Sequence, residues 1–311
     1  GSYVMVTTVE KPFSYLVPYY RFPSNTTVYT KDAEKVETVL EVPLIEDLPK
    51  GFMAVRKGRR NLRWRNDQAA PLVFAEALDE GDPEKEVEYR DEVKQLEAPF
   101  KGVPASLLMT INRYSYIQWG SEEVAIAYDN WWNTRNAKTY LFNPSDASSE
   151  PVVLFDRNYQ DRYSNPGRFV TERNEFGNTV LSLKANNLYL IGSGYTKEGQ
   201  FPFLDQMNLK TRTTKRLYQS EYTDRLENLR QFDVKKNRLL VRIESPTDYP
   251  NYYFRDLKKR NLQQISSFKN PFKSIQDVHK EVITYKRDDG LELSGTLYLP
   301  VGYDMVKKEK A

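Results

Sequence analysis

The chain has 311 residues, 29% of them charged and 13% aromatic, with a net charge of +3. Such a composition belongs to a globular protein able to bury a large core, and it argues against a disordered chain or a dedicated nucleic-acid binder. No apolar run is long enough for a membrane-spanning helix, and the opening residues carry no leader pattern. Cysteine is absent and His279 is the single histidine, which excludes disulfides, thiolate chemistry and His-rich metal centres. No cofactor, metal, nucleic acid or membrane is expected as a partner.

Taken in chain order, the first segment (3–43) reads as a strand ending Thr27–Thr30, a polar turn at Lys31–Glu34 and a returning strand Val36–Leu40. A pattern of four short strands then recurs. The first copy (about 60–110) has strands at Asn61–Arg65, Leu72–Ala75, Glu92–Leu96 and Ala105–Thr110. The second (114–156) has Tyr114–Trp119, Val124–Tyr128, Thr139–Asn143 and Val152–Asp156. The third (180–220) has Val180–Leu183, Leu188–Ile191, Phe203–Leu209 and Lys215–Gln219. The fourth (228–268) has Leu229–Asp233, Leu239–Glu244, Tyr252–Leu257 and Leu262–Phe268.

Four-stranded units at this spacing predict β-propeller blades, each a meander that buries its faces only against its neighbours. The fold class is therefore all-β: a partial propeller of about four to five blades, the first of them a half blade. A β-sandwich with uneven loops is the competing architecture. An incomplete ring would leave blade faces and strand edges uncovered, so either self-association through them or an open groove is expected.

The segment 273–311 reads as a linker followed by a hairpin. Alternating runs flank Asp288-Asp289-Gly290, with Leu291, Leu293, Gly295, Leu297 and Leu299 on one face.

This terminal stretch, EVITYKRDDGLELSGTLYLPVGYD, resembles the entry into the α/β-hydrolase domain of prolyl oligopeptidase-type serine peptidases. The segments SYLVPYYRFPSNTTVYT, SYIQWGSEEVAIAYDNWWNTRNAKTYLFNP and LFDRNYQDRYSNPG, and the stretch from Arg59 to Phe100, resemble the glutamyl endopeptidase-like branch more narrowly. The resemblance runs from about residue 10 to 304 and implies a propeller that precedes and covers a hydrolase domain. That family's nucleophile sits in a G-x-S-x-G elbow; none occurs here, since Gly192-Ser193-Gly194 lacks the spacing. The catalytic domain and the upstream part of the propeller are thus expected to lie outside this sequence. No catalytic residue is assigned, and the chain by itself is expected to be inactive.

Several stretches could carry binding. Ser274, Asp277 and His279 lie close together, but neighbours on one strand do not converge as a triad must, so His279 reads as a surface or linker residue. The basic run Arg56–Arg65 reads as a loop entering a blade, with Leu62 and Trp64 inward and Arg63 and Arg65 outward. The carboxylates of Glu76–Glu92 read as a solvated loop. Gly194–Gln200 lacks the residues of a phosphate loop, and Asn25-Thr26-Thr27 is a formal glycosylation sequon.

Trp131, Trp132 and Arg135, with Arg157, Arg162 and Tyr163, fall in stretches read as blade-connecting loops, where recognition residues collect. Their rings could stack on a peptide and their guanidinium groups could pair with a substrate carboxylate. Packing between blades is the competing role for the same residues.

The leading functional reading is a non-catalytic propeller portion that gates and orients peptide for the hydrolase domain. A free-standing propeller scaffold for protein or peptide interaction is the alternative. A propeller glycosidase is a weaker third, since no carboxylate pair is singled out. A bacterial periplasmic or secreted setting is preferred to the cytoplasm.

Overall fold

The computed structural model describes residues 1–303; the last part of the 273–311 segment, residues 304–311, lies outside them. The architecture is almost entirely antiparallel β. The first sheet is β1 (Tyr3–Val9), β2 (Ser24–Thr30) and β3 (Lys35–Val42), paired in that order. The second is β4 (Arg60–Trp64), β5 (Leu72–Ala77), β6 (Asp91–Leu96) and β7 (Ala105–Thr110). The third is β8 (Arg113–Ser121), β9 (Val124–Trp131), β10 (Asn136–Phe142) and β11 (Val152–Asn158).

In the fourth region β12 (Arg168–Phe169) is followed by a small separate hairpin, β13 (Thr171–Arg173) with β14 (Thr179–Leu181). The sheet itself has the order β12-β15-β16-β17, with β15 at Asn187–Gly192, β16 at Phe203–Asn208 and β17 at Thr214–Gln219. The fifth sheet is β18 (Leu226–Asp233), β19 (Arg238–Glu244), β20 (Asn251–Asp256) and β21 (Asn261–Gln264). A two-stranded hairpin follows, β22 (His279–Lys286) with β23 (Glu292–Leu299). Sequential four-stranded meanders of this kind are propeller blades, the fold class read from the repeats.

Two compact units are present. One comprises Gly1–Leu190 and Asp205–Arg216; the other comprises Ile191–Leu204 and the chain from Leu217 on.

In the first unit, period-two alternation explains the packing. Leu72 and Phe74 on β5 join Val28 and Val39 of the first sheet in one apolar cluster. Val73 and Ala75, on the opposite face of β5, join Trp119, Ala125 and Ala127 of the third sheet in another. Strand β9 repeats the device. Ala125 and Ala127 face the second sheet, while Ile126 packs with Leu188 and Leu190 of β15 and with Met207. A strand covered on both faces must be apolar at every position, as Leu72–Ala75 and Ala125–Ala127 are.

Two elements depart from the sequence reading. The first sheet has three strands, because Tyr3–Val9 pairs with β2 throughout, Thr7 opposite Thr26. And Thr179–Leu181 pairs with Thr171–Arg173 instead of opening the third four-stranded repeat; β12 holds that edge. The cause is the turn 174–178, where Asn174 Oδ1 accepts from the backbone N–H groups of Phe176 (3.1 Å) and Asn178 (2.9 Å).

Candidate functional site

Arg63 and the carboxylates Glu80, Glu84, Glu86 and Glu88 are exposed as read, but Arg65, Asp79 and Asp91 in the same runs are buried. Arg65 is 3% exposed: Nε and Nη2 donate to the two carboxylate oxygens of Asp67 (3.0 and 2.6 Å), Nη1 donates to Gln95 Oε1 (2.6 Å), and the guanidinium lies 4.3 Å from the Trp119 ring centre. Asp79 and Asp91, at the two ends of the acidic run, are fully buried. Arg113 holds both. Its Nη1 and Nη2 donate to Asp79 (2.9 and 2.7 Å) and Nη1 also to Asp91 Oδ1 (3.0 Å). Arg90 donates to Asp79 Oδ2 at 3.0 Å, and Arg60 pairs with Asp91. Burial opposes the charge on Asp79, but the hydrogen bonds from Arg113 and Arg90 outweigh it and hold the carboxyl below its ordinary range. A further buried carboxylate, Asp129, accepts from Asn112 N (2.9 Å), Asn112 Nδ2 (3.0 Å), Lys138 N (2.9 Å) and Tyr140 Oη (2.6 Å).

Next to this network lies an exposed aromatic patch. The hairpin turn 132–135 joins β9 to β10 within one sheet, so Trp132 and Arg135 sit on an intra-blade turn and not on a blade connection. Trp131 ends β9 and Arg157 lies in β11, so neither is a loop residue. Arg135 is held in the left-handed region (φ 57°), and its guanidinium stacks 3.8 Å from the centre of the Trp132 ring. Its Nη1 donates to Tyr159 Oη at 3.2 Å. Among the described residues no carboxylate pairs with it. Trp132 is 42% exposed and is met by Phe52, 83% exposed, at a ring distance of 5.1 Å.

The other expected site residues divide. Trp131 packs under Arg90, 4.4 Å from the ring centre, and belongs with the buried network. Arg157 Nη1 donates to the carbonyl oxygens of Asn158 (3.0 Å) and Asp161 (2.9 Å); burial lowers its pKa, countered in part by the charge of Asp161. Arg162 and Tyr163 are exposed on the loop after β11. Phe52 was not singled out from the sequence, whereas Tyr159 lies in the same stretch as Arg157 and Arg162. An exposed Phe after Lys50-Gly51 is a visible signal, but its partner lies on another sheet.

His279 opens β22, exposed, with Nε2 3.1 Å from Glu281 Oε2. In the second unit a cleft of about 840 Å³ is lined by Phe201, Tyr222, Tyr249, Phe272 and Tyr298, among others. Among the described residues no group of His, Cys, Asp or Glu side chains is arranged to hold a metal.

No family model matches the chain. It is 34% identical over 319 residues to a probable chloroplastic glutamyl endopeptidase of Oryza sativa subsp. japonica, covering 97% of this chain and 34% of the relative. The Arabidopsis thaliana protein of the same name is 35% identical over 323 residues, covering 98% of this chain and 34% of the relative. Among solved structures, an acylaminoacyl peptidase from Pyrococcus horikoshii aligns with 99% of this chain and 43% of its own, at 13% identity and a TM-score of 0.49. The sheets are those of β-propeller blades, and in sequence the chain is similar along nearly its whole length to glutamyl endopeptidases. The chain spans about a third of the length of those curated relatives.

Proposed function

We propose that the chain is the non-catalytic propeller portion of a serine peptidase, which admits and orients peptide for a hydrolase domain carried elsewhere in the protein. The observation that carries this is the match along nearly the whole chain to glutamyl endopeptidases. Peptide contact falls on the Trp132–Arg135 turn, with Arg162 and Tyr163 on the neighbouring loop. An aromatic ring supplies low-entropy apolar contact, and the Arg135 guanidinium, which has no carboxylate partner among the described residues, can take one from the ligand. Trp131 and Arg157, already engaged inside the sheet, support the patch from behind.

The test is a titration of this chain with a short, end-capped peptide carrying a central glutamate, followed by tryptophan fluorescence, with mass spectrometry of the peptide. Saturable binding without new termini is expected, and Arg135→Gln should weaken it about tenfold, the scale of one charge-assisted contact. A peptide that does not bind, or one that this chain cleaves by itself, overturns the reading.

A further inference from the structure

Residues 43–59 connect the first and second sheets without regular structure, yet directly after Phe52 the strap is fastened on either side of Ala54. The Met53 carbonyl oxygen accepts from Arg113 Nε at 3.0 Å. Val55 N–H donates to the Gly81 carbonyl oxygen at 3.0 Å. Both fastenings lead to one carboxylate. Asp79 receives Arg113 through two nitrogens, and its Oδ1 also accepts from Gly81 N at 2.9 Å. The approach at Gly81 is so close that a Cβ there would stand 1.9 Å from the Val55 carbonyl oxygen, and φ is +84°. The residue immediately before the fastenings, Phe52, reaches the aromatic patch, against Trp132, which in turn carries Arg135.

A fully buried carboxylate gripped by arginine is an expensive way to hold a loop. A loop needing only to connect two sheets would need no such anchor, and an 83% exposed phenylalanine contributes little to the core. We infer that Phe52 is a peptide-contacting residue forming one wall of the Trp132–Arg135 patch, and that Arg113 and Asp79 are positioning residues which set that wall through the strap. This rests on the peptide-binding reading above. The ligand is an extended peptide: an apolar side chain lies on the Phe52 and Trp132 rings while a polar group meets Arg135. Pre-set aromatic walls lower the ordering cost of binding, which is where such anchors gain affinity.

The experiment is a double-mutant cycle on the intact chain: Phe52→Ala, Arg113→Lys and the pair, each titrated with the same end-capped peptide and each melted in parallel. Lysine keeps the charge but cannot hold Met53 and both aspartates together. Each single variant should weaken binding about tenfold, and the double variant no more than Arg113→Lys alone, since both act through one wall. Phe52→Ala should leave the melting temperature in place.

Wild-type affinity in Phe52→Ala, or losses that add in the double variant, would overturn the inference while leaving peptide binding standing. A wild-type chain that binds no peptide overturns both. Phe52 is exposed, so its variant stays informative even where Arg113→Lys fails to fold.

Discussion

The second and third sheets and the terminal hairpin all turn successive side chains to alternate faces, and those faces end in opposite environments. In β5 and β9, successive residues face two different neighbouring sheets and four in a row are inaccessible on β5. In β22 all eight residues are exposed, Val282 and Tyr285 among them. Strand β23 alternates as read, with Leu293 and Leu297 half-covered and Leu299 buried. The hairpin turn forms on local chemistry alone: Gly290 takes φ +85°, its N–H donates to the Arg287 carbonyl oxygen, and Arg287 Nε donates to Asp289 Oδ1 at 2.9 Å. Alternation therefore says which side chains share a face. What covers the face is decided by another part of the chain.

The comparison can be broken first at its most buried charges. Asp91→Ala leaves Arg60 and Arg113 without one of their carboxylates in the interior and should cost about 3–5 kcal/mol in denaturant melts. Phe74→Ala, a fully buried ring between the first two sheets, should cost a similar 3–5 kcal/mol or so. Gly81→Ala has to push the Val55 carbonyl aside and should cost on the order of 1–3 kcal/mol. Tyr285→Ala in the hairpin should stay within about 0.5 kcal/mol of wild type. A large loss at Tyr285, or a small one at Asp91, would mean that the two regions are less different than their burial.

Acid sharpens the same contrast. Burial disfavours the charged form of Asp79, yet Arg113 and Arg90 depress its pKa overall. Its contribution is present above the unfolded carboxylate range, about pH 4, and is lost as pH falls through the lower folded value. Melting temperature followed downward from neutral pH should drop below about pH 4, and Asp79→Asn should flatten that drop. Glu80, depressed to about 2 by hydrogen bonds from Lys57 and Lys85, is fully exposed, and its replacement by Gln should leave the acid limb nearly unchanged.

Much of the sheet content was legible because strands buried on both faces write unbroken apolar runs. The misses have physical reasons. Tyr3–Val9 turns Tyr3 and Met5 to the core but exposes Val4 and Val6, so no polar face marks it as a strand. The β13–β14 hairpin hides in a stretch of only three paired residues, and its turn chemistry at Asn174 is the clearer signal. The buried arginines were hardest. Arg65 and Asp67 are two apart and could have been paired on sight. Arg113 and Asp79 are far apart in sequence, and only the packed sheets reveal that a charge run is an interior ion network. Of the candidate patch, Trp132 and Arg135 were named because their stretch reads as a loop, while the approach of Phe52 and Tyr159 to them needed the fold.

The passage from β7 to β8 uses only Ile111 and Asn112, and Asn112 gives both its backbone N–H and its side-chain amide to Asp129. The passage from β11 to β12 runs through residues 159–167, mostly exposed. Relatives and engineers therefore have unequal freedom at these two crossings. Added residues at 111–112 would pull a buried carboxylate away from its donors, whereas a loop or a whole inserted module fits at 160–165 without disturbing a sheet. The chain's tolerance for new length is concentrated beside the aromatic patch, where a change of loop would also change what that patch can hold.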